Sequence, residues 1–329
     1  MRDFSYDSIS KLSNTVFGKA RLIPMVTFAI NHAMAKGQMP IYHVTNIAIH
    51  LLAVLAVYWF IISLLKTPVG FSALRGFSAT WFAFFAAALW ALNPVQTNAV
   101  TYIVQRMTSL SALFYIAALA CYVNARLAAS VKSRGLFYAG FGAMVLCAFL
   151  SKENSYMLPA AVLLVEWVFF SPDLPLKIIY RLRWYHWLAI ILLIVIVLPL
   201  AGQRWAGIVN TGDFRFFTWD ERLLTQSRVV LYYITLLLLP LPGRMNFDYD
   251  FPLSYSLLSP STTFVAVILL AIPLVWSLFR RKEQPLVAFG ILWFFLNLAI
   301  ESTVIPLELV FEHRLYLPSV GFYLACLGG

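Results

Sequence analysis

The chain has 329 residues, of which 61% are hydrophobic and 12% charged, with a mean hydropathy of +0.81. That much apolar side chain cannot be covered by so little polar surface, so composition excludes a water-soluble domain and indicates a polytopic membrane protein. The formal charge of +10 does not point to nucleic acid, because many of the basic residues sit in short segments between apolar runs, where they set membrane orientation.

Taken in chain order, the first element is the amphipathic stretch 20–35, ARLIPMVTFAINHAMA, led by Arg21. It is too short and interrupted to span, and is expected to lie in the outer interface as part of an outer-face segment, 1–40. No apolar core with a small-residue cleavage site precedes it, so a cleavable signal peptide is not expected. A six-span bundle follows over 41–202, with candidate spans at 41–65, 79–92, 108–125, 136–150, 155–170 and 185–202. Residues 203–261 form a long extracytoplasmic region with an embedded or re-entrant helix at 223–241. C-terminal spans are expected at 262–279, 285–300 and 315–329, the last incomplete at 15 residues. These continuous runs match helices crossing about 30 Å of hydrocarbon rather than the alternation of barrel strands. The predicted fold is therefore all-α, a polytopic transmembrane helix bundle truncated at both ends. Cys121, Cys147 and Cys326 all fall inside apolar runs and are read as small core residues.

Sidedness follows from Lys and Arg density. The loops 66–78, 126–135, 171–184 and 280–284 hold 11 basic residues in 42 positions, which makes them cytoplasmic. The segments 93–107, 151–154, 203–261 and 301–314 then face outward. Keeping Arg280, Arg281 and Lys282 inside requires that 223–241 not cross the membrane; a tenth full crossing with one misplaced basic loop is the alternative. The basic residues of 1–40 would keep that segment inside if read alone, so an upstream span is expected before Met1.

Most polar motifs fall on the outward side. Gln105-Arg106 ends the loop after Pro94, where an arginine offers a planar donor fork for phosphate or snorkels to headgroups. Lys152-Glu153-Asn154 occupies a short turn, SKEN, which needs polar residues in any case but also sets a cation and a carboxylate at the depth of Arg106. His43, Asn46 and His50 share one helical face, a spacing suited to interhelical hydrogen bonding rather than a metal. Asp248 and Asp250 form a DxD in a loop with no preceding strand, which argues for solvation over metal binding. Glu301, Glu308, Glu312, His313 and Arg314 close the set. On a helix Glu308 and Glu312 would share a face and repel unless one protonates or both pair, with Arg314 the nearest cation. Such a cluster serves either acid-base chemistry or a structural ion network.

Together the runs ARLIPMVTFAIN, PIYHVTNIAIHLL, NPVQTNAVTYIVQRMTSLSALFY, LSKENSYMLPAAVLLVEW, ERLLTQSRVVLYYITLLLLPLPGRMNFDYDFPLS and ESTVIPLELVFEHRLYLPSVGF resemble the membrane half of bacterial tetratricopeptide-repeat membrane proteins. These are similar to the TMTC-type O-mannosyltransferases of the GT-C superfamily. The resemblance implies a GT-C-like fold in the bacterial inner membrane. It also implies a polyprenyl-phosphate-linked sugar donor and transfer to a protein acceptor on the extracytoplasmic face. The family's acidic pair lies in the first external loop, upstream of this sequence; Asp3 and Asp7 do not form it, so the chain as given is expected to be impaired in catalysis. The family's arginine is retained as Arg21, with its proline displaced to Pro24.

A lipid-phosphate leaving group needs fixed cations, and Arg21, Arg106, Lys152 and Arg314 are assigned that role. Glu153, Glu312 and Asp248 are the candidate catalytic carboxylates, and His43, Asn46, His50, Gln105 and His313 form a polar bundle face. No metal ligand set and no resident cofactor are predicted; membrane lipid, lipid-linked sugar and protein acceptor are the expected partners. A non-catalytic membrane anchor for repeats and a lipid-linked-sugar transporter are the alternatives. A transporter would carry polar groups mid-span on discontinuous helices, whereas here they gather at one boundary.

Overall fold

Proline at the first or second position opens five of the described α-helices, where its fixed φ suits the helix and its missing N–H removes no intrahelical bond. The computed structural model describes residues 21–35, 38–171, 217–246, 249–303 and 307–329. The expected span 185–202, the acidic residues Asp3 and Asp7, and Asp248 lie outside them. In chain order the helices are α1 (Leu22–Ala35), α2 (Pro40–Leu65), α3 (Pro68–Ala73), α4 (Ala79–Leu92), α5 (Gln96–Thr101) and α6 (Arg106–Leu127). They continue as α7 (Val131–Phe149), α8 (Leu158–Val165), α9 (Trp219–Leu238), α10 (Thr262–Arg280), α11 (Pro285–Leu298) and α12 (Pro318–Gly328). A π-turn, Glu166–Phe170, extends α8. No strand occurs among the described residues, and the chain is an all-α membrane bundle.

Three helical stretches, Pro40–Leu65, Ile103–Leu127 and Thr262–Arg280, are long and apolar enough to cross a bilayer. The helices α4, α11 and α12 are apolar but shorter; 14 residues rise only about 21 Å. The helix expected at 223–241 forms as α9 over Trp219–Leu238, started by a reciprocal cap in which Thr218 and Glu221 each bond the other's backbone N–H. It is not among the helices apolar enough to cross.

Lipid tails are as apolar as the side chains they would replace, so helices here associate through close packing and interhelical hydrogen bonds rather than through expulsion of water. The contacts are built accordingly. Helix α2 packs on α4 and α6, α6 on α7, α11 on α12, and α12 back on α4. Buried alanines make these approaches close: Ala83, Ala86 and Ala87 on α4, and Ala112, Ala117, Ala118 and Ala120 on α6. At the α11–α12 crossing, a Cβ on Gly290 would strike the Gly321 carbonyl, and one on Gly321 would strike that of Gly290. Phe60, Phe289, Trp293 and Tyr115 fill the centre, with ring centroids between 5.6 and 6.3 Å apart.

This packing separates two ends. The α6 C-terminus places Arg126 on Glu166 at 2.7 Å, and Arg281, just past α10, lies over the Trp167 ring at 4.4 Å. The basic loops around Arg75, Arg126 and Lys282 therefore share one end. The residues 105–106, 151–154 and 312–314 meet at the other.

Candidate functional site

Lys152 emerges just past α7 in extended backbone, at φ −160° and ψ 149°. The Ser155 hydroxyl donates to the Lys152 carbonyl at 2.6 Å and contacts that of Ala148 at 2.9 Å, which locks the start of the turn Glu153–Met157. So held, Lys152 Nζ reaches Glu301 Oε1 at 2.9 Å and Thr108 Oγ1 at 3.0 Å, and Thr108 donates onward to Gln105 Oε1 at 2.9 Å. Lys152 and Glu301 are 7% and 6% exposed. A pair this buried persists only with good geometry, since desolvation of each charge costs several kcal/mol. Glu301 Oε2 is buried and bonds to none of the described residues. Beside it, Arg21 lays its guanidinium on Glu153, with Nη2 to Oε2 at 3.0 Å and Nε to Oε1 at 3.2 Å. Burial pushes the Glu301 carboxyl up, but Lys152, then Arg314 and Arg21, overcome it and hold Glu301 below the usual carboxylate range.

Residues 312–315 form a short 3-10 turn that brings His313 and Arg314 into this charge. His313 is buried, with Nδ1 3.3 Å from Asn98 Oδ1. Burial first, and then the Lys152 and Arg314 cations, push its pKa well down, so the ring is neutral at pH 7. Arg314 donates to the Leu309 carbonyl at 3.1 Å and stacks on Phe311 at 5.4 Å. Glu312 accepts from the Tyr249 hydroxyl and from the Asn246 N–H at 2.9 Å. Burial raises its carboxyl above the usual range despite those bonds. The expectation that Glu308 and Glu312 would share a helical face is corrected: residues 307–311 are not helical. Glu312 is settled by Tyr249 and Asn246 rather than by Arg314.

Arg106 is placed differently from the other assigned cations. It is fully buried, and its fork reaches Asn46 Oδ1 at 2.6 Å, the Tyr42 carbonyl at 3.0 Å and Thr27 Oγ1 at 3.4 Å, with Phe28 stacked at 4.3 Å. It binds α1 to α2 by protein acceptors, two residues before the Thr108 that Lys152 touches. Asn46 passes the contact on to the Val100 carbonyl at 3.0 Å. His50 Nε2 faces the Ala91 carbonyl at 3.3 Å, which makes that nitrogen the donor and Nδ1 the acceptor of the Tyr316 hydroxyl at 2.7 Å. His43 is half-buried and enters no hydrogen bond among the described residues. Asn46 and His50 thus serve interhelical bonding, while His43 does not join them.

Arg222 was not among the residues picked out by sequence. It is fully buried on α9 and donates to the carbonyls of Glu301 at 3.0 Å, Thr303 at 2.9 Å, Glu308 at 3.3 Å and Leu307. On the same helix Gln226 holds the Leu309 carbonyl at 3.0 Å, and the Tyr233 hydroxyl bonds both the N–H and the carbonyl of Phe311. The signal was present as a polar stripe at 222, 226 and 233 along an otherwise apolar face, spaced as one side of a helix. Among the described residues no three His, Cys, Asp or Glu side chains come together as a metal-ligand set.

A protein O-mannosyl-transferase of Caenorhabditis elegans is 25% identical to this chain over 338 aligned positions, covering 99% of the chain and 44% of that protein. The chain thus spans less than half the length of this relative, to which it is distantly related. No protein-family model matches the chain, and no solved structure matches it.

Proposed function

We propose that this chain is a glycosyltransferase-like membrane protein that uses a polyprenyl-phosphate-linked sugar and transfers the sugar to a protein hydroxyl at the extracytoplasmic face of a bacterial inner membrane. The observation that carries the reading is the convergence of Arg21, Lys152 and Arg314 with Glu153, Glu301 and His313 at one end of the bundle, from segments nearly 300 residues apart. The relation to an O-mannosyl-transferase adds the reaction class.

In this reaction the acceptor oxygen attacks the anomeric carbon and the bond from that carbon to the phosphate oxygen breaks. The carrier leaves as a phosphate monoester with an added negative charge, and the hydroxyl proton passes to a carboxylate. Arg21 and Lys152 stabilise the leaving charge, because fixed cations in a partly dehydrated site need no reorganisation as charge develops. We assign the proton to Glu153, which is about one-third exposed where Glu301 is buried; Glu312, with a raised pKa, and Asp248, outside the described residues, are the other two candidates. Arg106, saturated by protein acceptors, positions α1 and through it Arg21.

One observation favours the rival reading of a non-catalytic anchor: Arg21 and Lys152 are already paired with carboxylates. The same experiment separates the two. Purified protein is incubated with polyprenyl-phosphate mannose carrying a radiolabelled sugar and an acceptor peptide rich in Ser and Thr. We expect slow labelling of the peptide by the parent chain, in line with the impairment expected without the upstream acidic loop, and a further drop of at least about 100-fold for Arg21→Gln and Lys152→Met, the scale on which loss of one charge-stabilising group slows transfer. Transfer unchanged in both variants overturns the site. Absence of both transfer and saturable carrier-phosphate binding in the parent chain favours the anchor.

A further inference from the structure

A cavity of 340 Å³ opens at the end of the bundle opposite the charged cluster, between α3, the turn after it and the loop joining α10 to α11. That volume lies within the range of about 300–1,000 Å³ in which small molecules and headgroups are held. Ser72, Arg75, Lys282, Glu283 and Gln284 line it. Glu283 is ion-paired with Arg280, which also belongs to this loop. Its charge is thereby offset, and the lining is cationic through Arg75 and Lys282.

The surroundings point to lipid rather than to bulk solvent. Arg75 is held in left-handed backbone at φ 48°, followed by Gly76 at φ 92°. A left-handed residue other than glycine is strained and persists where the neighbouring structure imposes it. Around the same turn Phe71, Phe77 and Trp81 are 71%, 76% and 59% exposed. Three large rings open to the outside beside a basic cavity belong at a membrane boundary, where aromatic bodies meet acyl chains and cations meet headgroups. Basic pockets between transmembrane helices are a recurrent way of holding anionic headgroups.

We propose that this cavity takes the phosphate of an anionic phospholipid from the adjacent leaflet, with Arg75 and Lys282 on the phosphate, Ser72 and Gln284 on headgroup hydroxyls, and Phe71 and Phe77 against the acyl chains. The site is independent of the sugar-transfer reading, since it lies at the other end of the bundle and is measured by binding alone.

The test is thermal unfolding of the purified chain in neutral detergent with added phosphatidylglycerol, phosphatidylcholine or inorganic phosphate. Phosphatidylglycerol should raise the midpoint by about 5 °C, the size of shift that saturating binding gives a chain of this length, with the other two leaving it in place. Arg75→Gln combined with Lys282→Gln should weaken the phosphatidylglycerol response at least tenfold in lipid concentration. Ser72→Trp fills the cavity without removing charge, and should do the same; it decides the matter should the double variant not fold. The full phosphatidylglycerol shift in Ser72→Trp, or an equal shift from phosphatidylcholine, overturns the proposal. An equal shift from inorganic phosphate overturns the lipid and makes the ligand a soluble phosphate.

Discussion

Lys152 and Glu301 are conspicuous separately, as charges in a chain with few of them, but nothing in their spacing of 149 positions announces that they pair. The pairing has a testable cost. Replacing Lys152 by Met strands the Glu301 carboxylate in a buried site, and breaking such a pair from one side costs about 3–5 kcal/mol. We expect Lys152→Met to lower the unfolding midpoint sharply and Lys152→Met with Glu301→Gln to recover most of the loss, as read by thermal unfolding in detergent. The pH dependence follows from the same pair. Glu301 is held below its unfolded value, so its contribution is present above about pH 4.3 and lost as pH falls through the lowered folded value; in Lys152→Met that acid-side slope should shrink. His313 works on a different window. Its folded pKa lies well below the unfolded value of about 6.5, so the unfolded chain binds the extra proton and stability falls as pH drops below about 6.5. His313→Asn should flatten the stability profile from pH 7 to pH 5, and a profile unchanged from the parent would show that His313 is not the group responsible.

Helix α9 shows what periodicity reveals of an element and what it withholds. Its existence was legible from the apolar run at 223–241, but the structure starts it at Trp219 through the Thr218–Glu221 cap, because the first turn is polar and is fixed by capping rather than by hydropathy. Its role was hidden for a related reason. Arg222 reads as one more charge in a WDER sequence, yet it is the residue that gathers four carbonyls of the segment 301–308. Its described residues, 301–303 and 307–308, are not helical, so their backbone acceptors need outside donors. Arg222→Ala is expected to destabilise the chain by about 3 kcal/mol, the scale for hydrogen bonds to a charged group together with carbonyls left unpaired. Arg222→Lys should not rescue it, since one ammonium cannot reproduce a planar fork spread over several acceptors. Hydrogen exchange offers the sharper readout. The amides of 307–311 should exchange faster in Arg222→Ala while those of α2 and α6 keep their protection; uniform loss across the bundle would mean that α9 supports the whole fold and not this segment in particular.

For the whole molecule, the composition was sufficient for the class, because that depends on bulk hydropathy and not on side-chain detail; of the four basic loops assigned to one side, those at 66–78, 126–135 and 280–284 lie at one end of the bundle, and 171–184 lies outside the described residues but for Ser171. The bundle separates the basic loops around Arg75, Arg126 and Lys282 from the end carrying Arg21, Lys152 and Arg314. The distinction between those ends is what the transfer reading needs, since a lipid-borne sugar and a secreted acceptor meet only on the outside. Which end faces outward is open to direct measurement. With Cys121, Cys147 and Cys326 replaced by Ala, single cysteines at Asn154 and the exposed Glu308 report the charged end, and ones at Ser133 and Gln284 report the other. In intact cells a membrane-impermeant maleimide should label the first pair, and label Ser133→Cys and Gln284→Cys only after permeabilisation. The converse pattern would put the cation cluster in the cytoplasm, where no secreted acceptor passes, and the transfer reaction would lose its acceptor while the ion pairs that hold the bundle together remained as described.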